Sequence, residues 1–134
     1  MFSIIPQLPN IGDILWCYFP EVMGSLRPKP RPVIVIGVSK DKHLVYVAFG
    51  TSKKTDKLYP TEFLIANSDG EEAFNLSGLS YDTKFDFAKK SILPFTTQFF
   101  SKAPRKSNIP SPKLGSLHIM YSDRVRIAKK TAGL

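Results

Sequence analysis

The stretch GDILWCYFPEVMGSLRPKPRPVIVIGV, residues 12–38, is the most informative about fold class, because two apolar runs flank a proline-rich connection. In the first run, DILWCYF at 13–19, both alternating sets of side chains after Asp13 are apolar or aromatic. The second run, VIVIGV at 33–38, is equally apolar. Short runs of this kind, rich in β-branched and aromatic residues, predict strands that are buried on both faces, as in a small barrel or sandwich.

The next segments extend an all-β pattern. SKDKH at 39–43 has turn chemistry and LVYVAF at 44–49 is apolar again, so these residues complete a predicted β-hairpin. Further strands are predicted at TEFLIA (61–66), YDTKFDF (81–87) and SILPF (91–95), and one or two helical turns at EEAFNLSGL (71–79), with Ala73, Phe74 and Leu76 facing inward. The alternation of 81–87 puts Tyr81, Thr83, Phe85 and Phe87 on one side and Asp82, Lys84 and Asp86 on a solvent-facing side.

The last third of the chain changes in composition. Residues 101–112 are rich in Lys, Arg, Ser and Pro, which predicts a surface loop. Beyond it, Ser111 is a candidate N-cap and Pro112 a first helical residue, and apolar residues at helical spacing predict a C-terminal helix over 113–132. A strand at LHIMY, 117–121, is the alternative. The fold expected is a single mainly β domain over 1–134, with a small SH3-like barrel as its core at 10–95, one or two short helices and the C-terminal helix.

Composition limits the partners that the protein can have. Nineteen Lys and Arg against eleven Asp and Glu give a net charge of +8 over 134 residues, which favours a polyanion or an acidic protein as partner. Cys17 is the only cysteine, so an intrachain disulfide is excluded, and with two distant histidines, His43 and His118, a zinc site is not expected. We expect a cytoplasmic protein that uses no metal or cofactor and no membrane anchor.

Two places in the predicted barrel could carry chemistry. Arg31 lies between Pro30 and Pro32, which restrict its backbone and could aim its guanidinium at a phosphate. Thr51 and Ser52 follow Gly50 at the end of a strand. A hairpin turn near 40–42 places Arg31 almost opposite Thr51, so both side chains could face one anion.

Each of these features also has a plain structural explanation. Arg31 could pair with a carboxylate such as Asp13 or Glu62, and Gly50-Thr51-Ser52 could be only a turn. Lys53 and Lys54, beside the hydroxyls, and Lys84 could contact an anionic substrate or simply be solvated. Arg27, in the proline-rich connection, could help that connection close over a nucleic acid or receive an inhibitor, or belong to an ordinary surface loop. Trp16, Tyr18 and Phe19 could stack on bases, although core positions are the simpler interpretation.

In order and spacing, these motifs resemble the MazF/PemK-like toxins. The residues concerned are Gly12-Asp13-Ile14-Leu15-Trp16, the proline-rich loop, Arg31-Pro32-Val33-Ile34-Val35-Ile36 and Thr51-Ser52-Lys53, and the resemblance covers roughly 10–95. It implies an SH3-like barrel, commonly dimeric, that cleaves single-stranded RNA without a metal and is inhibited by an acidic antitoxin protein. Arg31 would stabilise the transition state or donate a proton, and Thr51 would contact the scissile phosphate.

One departure from that pattern leaves the function open. The family often has an apolar residue and a proline before its Thr-Ser pair, whereas Phe49-Gly50 stands here, and no general base is evident. The sequence therefore leaves three hypotheses: an endoribonuclease toxin, a barrel without cleavage activity that binds RNA or protein as a regulator, and an interaction module that uses the basic segment 102–113.

Overall fold

The computed structural model describes residues 2–19, 29–100, 103 and 111–134. Six strands and two α-helices follow one another in this part of the chain. The strands are β1 (Asp13–Phe19), β2 (Lys29–Ser39), β3 (Leu44–Thr51), β4 (Glu62–Ile65), β5 (Thr83–Pro94) and β6 (Lys113–Ser116), and the helices are α1 (Glu71–Ser77) and α2 (Ser122–Thr131). Two 3-10 turns, Asn67–Asp69 and Ile119–Tyr121, precede the helices. None of the helices in the described ranges is long and apolar enough to cross a membrane.

The six strands form one antiparallel sheet in the order β4-β5-β3-β2-β1-β6, curled into a half-barrel. Bulges account for the curl, because an extra residue on one strand bends it and increases its twist. Ile36 is extra in the pairing of β2 with β3, and residues 86–89 of β5 face the single residue Phe49 of β3. The predicted mainly β architecture with a C-terminal helix is confirmed.

Both faces of the sheet are covered by apolar side chains, which explains the continuous apolar runs. Neighbours in the chain face opposite ways: Ile14 and Ile34 pack with the helices on one face, whereas Leu15 and Val33 pack on the other. The helical side is completed by aromatic residues from β4, β5 and the C-terminal region, and the opposite side by Phe95 and Phe100. The prediction that β1 and β2 are buried on both faces is confirmed for Ile14 and Leu15 and for Val33 to Val35, whereas further along β1 Trp16 is only half-buried and Tyr18 is exposed.

The C-terminal region differs from the predicted helix over 113–132. Residues 113–116 form β6, which pairs with the free edge of β1, and the helix begins only at Ser122. Ser111 is not an N-cap, since its hydroxyl accepts a hydrogen bond from the Lys113 amide as the strand begins. The alternative strand at 117–121 is also wrong, because His118 caps a 3-10 turn there. Of the predicted surface loop at 101–112, only residues 103, 111 and 112 lie among those described.

The region from α1 to β5 also corrects the predictions in detail. Ala73 and Phe74 are buried as expected, but Leu76 is exposed. The segments 81–87 and 91–95 form one bent strand rather than two. The expected solvent-facing side of that strand is buried at Lys84 and Asp86, because the residues before β4 cover it and bond both side chains.

Candidate functional site

A cleft of about 340 Å³ opens where several strands end. One wall is formed by Pro30, Arg31 and Pro32 of β2, and the next by Gly50 to Lys53 at the end of β3. The connection from α1 to β5 and residue Leu114 of β6 close the other side. The predicted site residues Arg31, Thr51, Ser52 and Lys53 therefore line one cleft.

Strand register explains why Arg31 and Thr51 line the same cleft. The ladder between β2 and β3 ends with Val33 opposite Phe49, and two residues further along each strand stand Arg31 and Thr51. Arg31 is half-buried, and its guanidinium carbon lies 5.0 Å from the centre of the Phe49 ring. A guanidinium over an aromatic ring is held at a preferred distance, so its position is restrained.

The carboxylates considered as alternative partners of Arg31 bind lysines. An Asp13 carboxylate oxygen lies 3.3 Å from Lys113 Nζ, and a Glu62 oxygen lies 3.4 Å from Lys84 Nζ. Cys17, opposite Arg31 in the β1–β2 ladder, is fully buried, and burial raises the pKa of its thiol to about 12. The thiol is therefore neutral at physiological pH and does not serve as a nucleophile.

Thr51 lies at the point where β3 ends and a loop begins. Its hydroxyl oxygen accepts a hydrogen bond from the Lys53 amide at 3.2 Å, which leaves the hydroxyl proton available for donation. Gly50 precedes it because a Cβ at that position would lie 2.8 Å from a ring carbon of Phe85 and 2.9 Å from the Thr83 methyl group. The departure from the family pattern at Phe49-Gly50 thus has a steric reason in this chain.

The remaining predicted site residues lie elsewhere. Lys54 is exposed in the β3–β4 loop and does not line the cleft. Lys84 does not line it either: its ammonium is buried and donates to the Lys57 carbonyl oxygen at 2.8 Å. The expectation that Lys84 faces solvent was wrong, because alternation along a strand does not reveal that a loop covers its outer side. Arg27 lies outside the described residues.

The sequence predicts core positions for Trp16 and Tyr81 in the first instance, although Trp16 could also stack on bases. Trp16, which pairs with Pro32 across β1 and β2, is half-buried and lines the cleft rather than filling the core. Tyr81 was expected inside, but β5 begins at Thr83, and Tyr81 stands at the cleft rim with 73% of its surface exposed. Gly78 and Leu79 belong to the same wall. Only the weak aromatic signal at Trp16 could have pointed to the site.

The described cleft lining contains no aspartate, glutamate or histidine. Asp82 lies in an adjoining hollow with Ser52 and Tyr81, where its carboxylate accepts from the Asn67 amide at 2.8 Å. His43 contacts the Ile5 carbonyl oxygen through Nε2, and His118 Nδ1 accepts from the Met120 amide. Within the described ranges, no three His, Cys, Asp or Glu side chains cluster as metal ligands do. The chemistry available in the lining is that of a guanidinium, an ammonium and hydroxyl groups.

Comparison with known proteins agrees with this architecture. Residues 10–89 match the family model of PemK-like, MazF-like toxins of type II toxin-antitoxin systems. The chain belongs to this family.

Among solved structures, the fold is similar to an endoribonuclease in complex with its cognate antitoxin from a mycobacterial species. The TM-score is 0.57 at 14% sequence identity, over 95% of this chain and 97% of the other. No curated protein matches the chain.

Proposed function

We propose that the protein is the toxin of a toxin-antitoxin system and acts as an endoribonuclease that cleaves single-stranded RNA without a metal ion. One observation carries the proposal: Arg31 and Thr51, which the family resemblance assigns to the scissile phosphate, line one cleft in a chain that belongs to the toxin family. The similarity to an endoribonuclease fold and the net charge of +8 support it.

The chemistry follows from what a phosphodiester needs. The ribose 2′-oxygen attacks phosphorus as its proton passes to solvent water, and the bond from phosphorus to the 5′-oxygen breaks. The leaving 5′-oxygen takes up a proton, so the products are a 2′,3′-cyclic phosphate and a 5′-hydroxyl. Negative charge that builds on the phosphoryl oxygens is stabilised by fixed donors. Arg31 supplies permanent charge and planar N–H groups, and the Thr51 hydroxyl donates a hydrogen bond. Arg31 cannot act as a base at neutral pH because its guanidinium stays protonated.

Binding of the strand would use the groups around these two residues. Ser52 and Lys53 line the cleft and Lys54 follows in the exposed loop, so they would contact neighbouring phosphates. Trp16 and Tyr81 offer ring faces on which unpaired bases could stack. A duplex does not present such bases, which is why we assign single-stranded RNA as substrate.

The partners follow from the charge of the cleft and from what the family resemblance implies. An acidic antitoxin would neutralise the cationic cleft and compete with RNA, and we expect the toxin to act as a homodimer in the cytoplasm. An acidic protein encoded by the neighbouring reading frame would support the antitoxin assignment.

The test is cleavage of a labelled single-stranded RNA in the presence of a chelator. Wild-type protein should produce fragments with 2′,3′-cyclic phosphate ends. Arg31→Ala should lower the rate at least ~100-fold, as expected for loss of a transition-state donor, and Thr51→Ala should also lower it. Arg126→Ala removes the same charge from the exposed face of α2 and should cut normally. Full activity of Arg31→Ala would refute the site.

The second candidate, a regulator that binds RNA without cleaving it, is favoured by one observation. The described lining offers no carboxylate or imidazole to accept the 2′-hydroxyl proton. In that case RNA would bind with an affinity that depends on Arg31, and no cyclic phosphate product would form at any protein concentration.

A further inference from the structure

We infer that Lys84 is a positioning residue, which holds Thr51 and the adjoining loop in place from the neighbouring strand. The inference rests on the proposed function, because it assigns Thr51 a role at the cleft. It replaces the expectation that Lys84 binds RNA directly. Lys84 stands directly opposite Thr51 in the ladder between β3 and β5.

The Lys84 ammonium is enclosed by the loop that joins β3 to β4. Only 8% of its side chain is exposed. It donates to the Lys57 carbonyl oxygen at 2.8 Å, lies 3.4 Å from a Glu62 carboxylate oxygen, and sits 5.9 Å from the centre of the Tyr59 ring. The other Glu62 oxygen accepts from the Tyr59 amide at 2.7 Å. One buried cation therefore organises the second half of the loop.

From this cation, short contacts lead back to the cleft. The Lys57 amide donates to the Lys54 carbonyl oxygen at 3.2 Å, which closes a turn in the loop. The next residue toward β3 is Lys53, whose amide donates to the Thr51 hydroxyl oxygen at 3.2 Å. If the ammonium no longer bound the Lys57 carbonyl oxygen, the turn from Lys54 to Lys57 would be free to move. The Lys53 amide, which orients the Thr51 hydroxyl, would then move with it.

A purely stabilising role explains this arrangement less well. Burying an ammonium and a carboxylate costs desolvation energy, and apolar residues of similar size often stabilise a protein as much or more. A hydrophobic side chain at position 84 could not bond the Lys57 carbonyl group. What the lysine adds is a defined loop position, and small errors in the position of a catalytic group can lower a rate by up to about 100-fold.

The test compares three variants with wild-type protein. Lys84→Met removes the ammonium, and Lys84→Met/Glu62→Leu also removes the carboxylate that would otherwise be left buried without its cation. Lys90→Met is the matched control, because it removes the same charge from an exposed position on the same strand. Melting temperature, amide hydrogen exchange at Lys57 and Tyr59, and kcat and KM for a short RNA are measured for each.

We expect Lys84→Met to expose the Lys57 and Tyr59 amides to exchange and to lower kcat about 10- to 100-fold, while KM changes less than about threefold. The double variant should melt at a higher temperature than Lys84→Met, because no unpaired carboxylate stays buried, but its kcat should remain as low as that of Lys84→Met. Lys90→Met should resemble wild type in all three measurements.

Two results would overturn the inference: unchanged exchange at both amides in Lys84→Met, or wild-type kcat in the double variant. Absence of any cleavage by wild-type protein would instead refute the proposed function. The exchange measurement would still decide whether Lys84 holds the loop.

Discussion

The contact between α1 and β6 provides a quantitative test of how the far wall of the cleft is built. A Cβ at Gly78 would lie 1.9 Å from the Leu114 carbonyl oxygen, and a Cβ at Gly115 would lie 2.2 Å from the Leu76 carbonyl oxygen. Backbone therefore packs directly on backbone here, without side chains between. Gly78 also has a φ of +71°, in the left-handed region that ends α1.

Three alanine variants separate the free-energy cost of a left-handed backbone from the cost of steric overlap. Gly78→Ala incurs both a left-handed backbone, about 1–2 kcal/mol, and a steric overlap, about 1–3 kcal/mol. Gly115→Ala incurs the overlap alone. Gly12→Ala, with a φ of +93° but its nearest neighbour at 3.8 Å, incurs the backbone cost alone. Gly78→Ala should therefore lose about 2–5 kcal/mol, close to the sum of the other two losses.

Thermal unfolding followed by circular dichroism measures these losses. For a domain of this size, 1 kcal/mol corresponds to about 3–5 °C in Tm, so Gly78→Ala should melt at least about 6 °C below wild type. Gly78 and Leu114 both line the cleft, so RNA cleavage should also fall at temperatures where the variant is folded. A Gly78→Ala variant no less stable than Gly12→Ala would refute the close packing of α1 on β6.

Three further predictions concern single side chains. Cys17 should react with a thiol reagent only at the rate of unfolding, because the thiol is buried and its pKa is raised to about 12. The reaction is measured by absorbance, and rapid labelling of the native protein would contradict the burial of Cys17. Burial raises the pKa of Asp69, but hydrogen bonds from Arg124, the Ala66 amide and Tyr121 outweigh it, so the net pKa is lowered. Asp69→Asn should accordingly lower Tm at pH 7. The difference in Tm between the variant and wild type should shrink as pH falls below about 4, where the carboxyl group is protonated in the unfolded chain. A Tm difference independent of pH would exclude a stabilising role for the charge of Asp69. Trp16 is the only tryptophan and lines the cleft, so RNA should quench its fluorescence in a saturable manner. Arg31→Ala should raise the RNA concentration needed for half-maximal quenching. Equal quenching curves for the variant and wild type would show that RNA binds away from Arg31.

The sequence predicts the central strands well because local chemistry determines them. β1, β2 and β3 are short apolar runs bounded by Pro, Gly and polar turn residues, and burial on both faces leaves no competing helical pattern. The hairpin between β2 and β3 then determines the register, and the register places Arg31 and Thr51 at the same end of the sheet. One wall of the cleft could thus be inferred without a structure.

The opposite wall could not be inferred, because contacts distant in sequence determine it. β6 forms by pairing with the edge of β1, about a hundred residues earlier, and no local pattern in KLGS signals this. Tyr81 leaves the expected strand pattern because it belongs to the connection from α1, which packs on the distant β6, and β5 begins only at Thr83. The alternation along β5 predicts a solvent-facing Lys84, since the loop that buries it belongs to another part of the chain.

The two walls of the cleft are therefore held by different physical means, which bears on how a site without a described carboxylate or imidazole could work. Arg31 and Thr51 lie at the ends of strands whose central residues are packed on both faces, and this packing restrains their backbone. On one side a buried cation holds the loop that orients the threonine hydroxyl, and on the other a glycine contact holds the α1–β5 connection. Catalysis by fixed donors depends on such rigidity, because hydrogen-bond donors stabilise a transition state only if they need not reorganise as charge develops. A cleft of this construction therefore suits phosphate chemistry in which position and charge, rather than a strong base, lower the barrier.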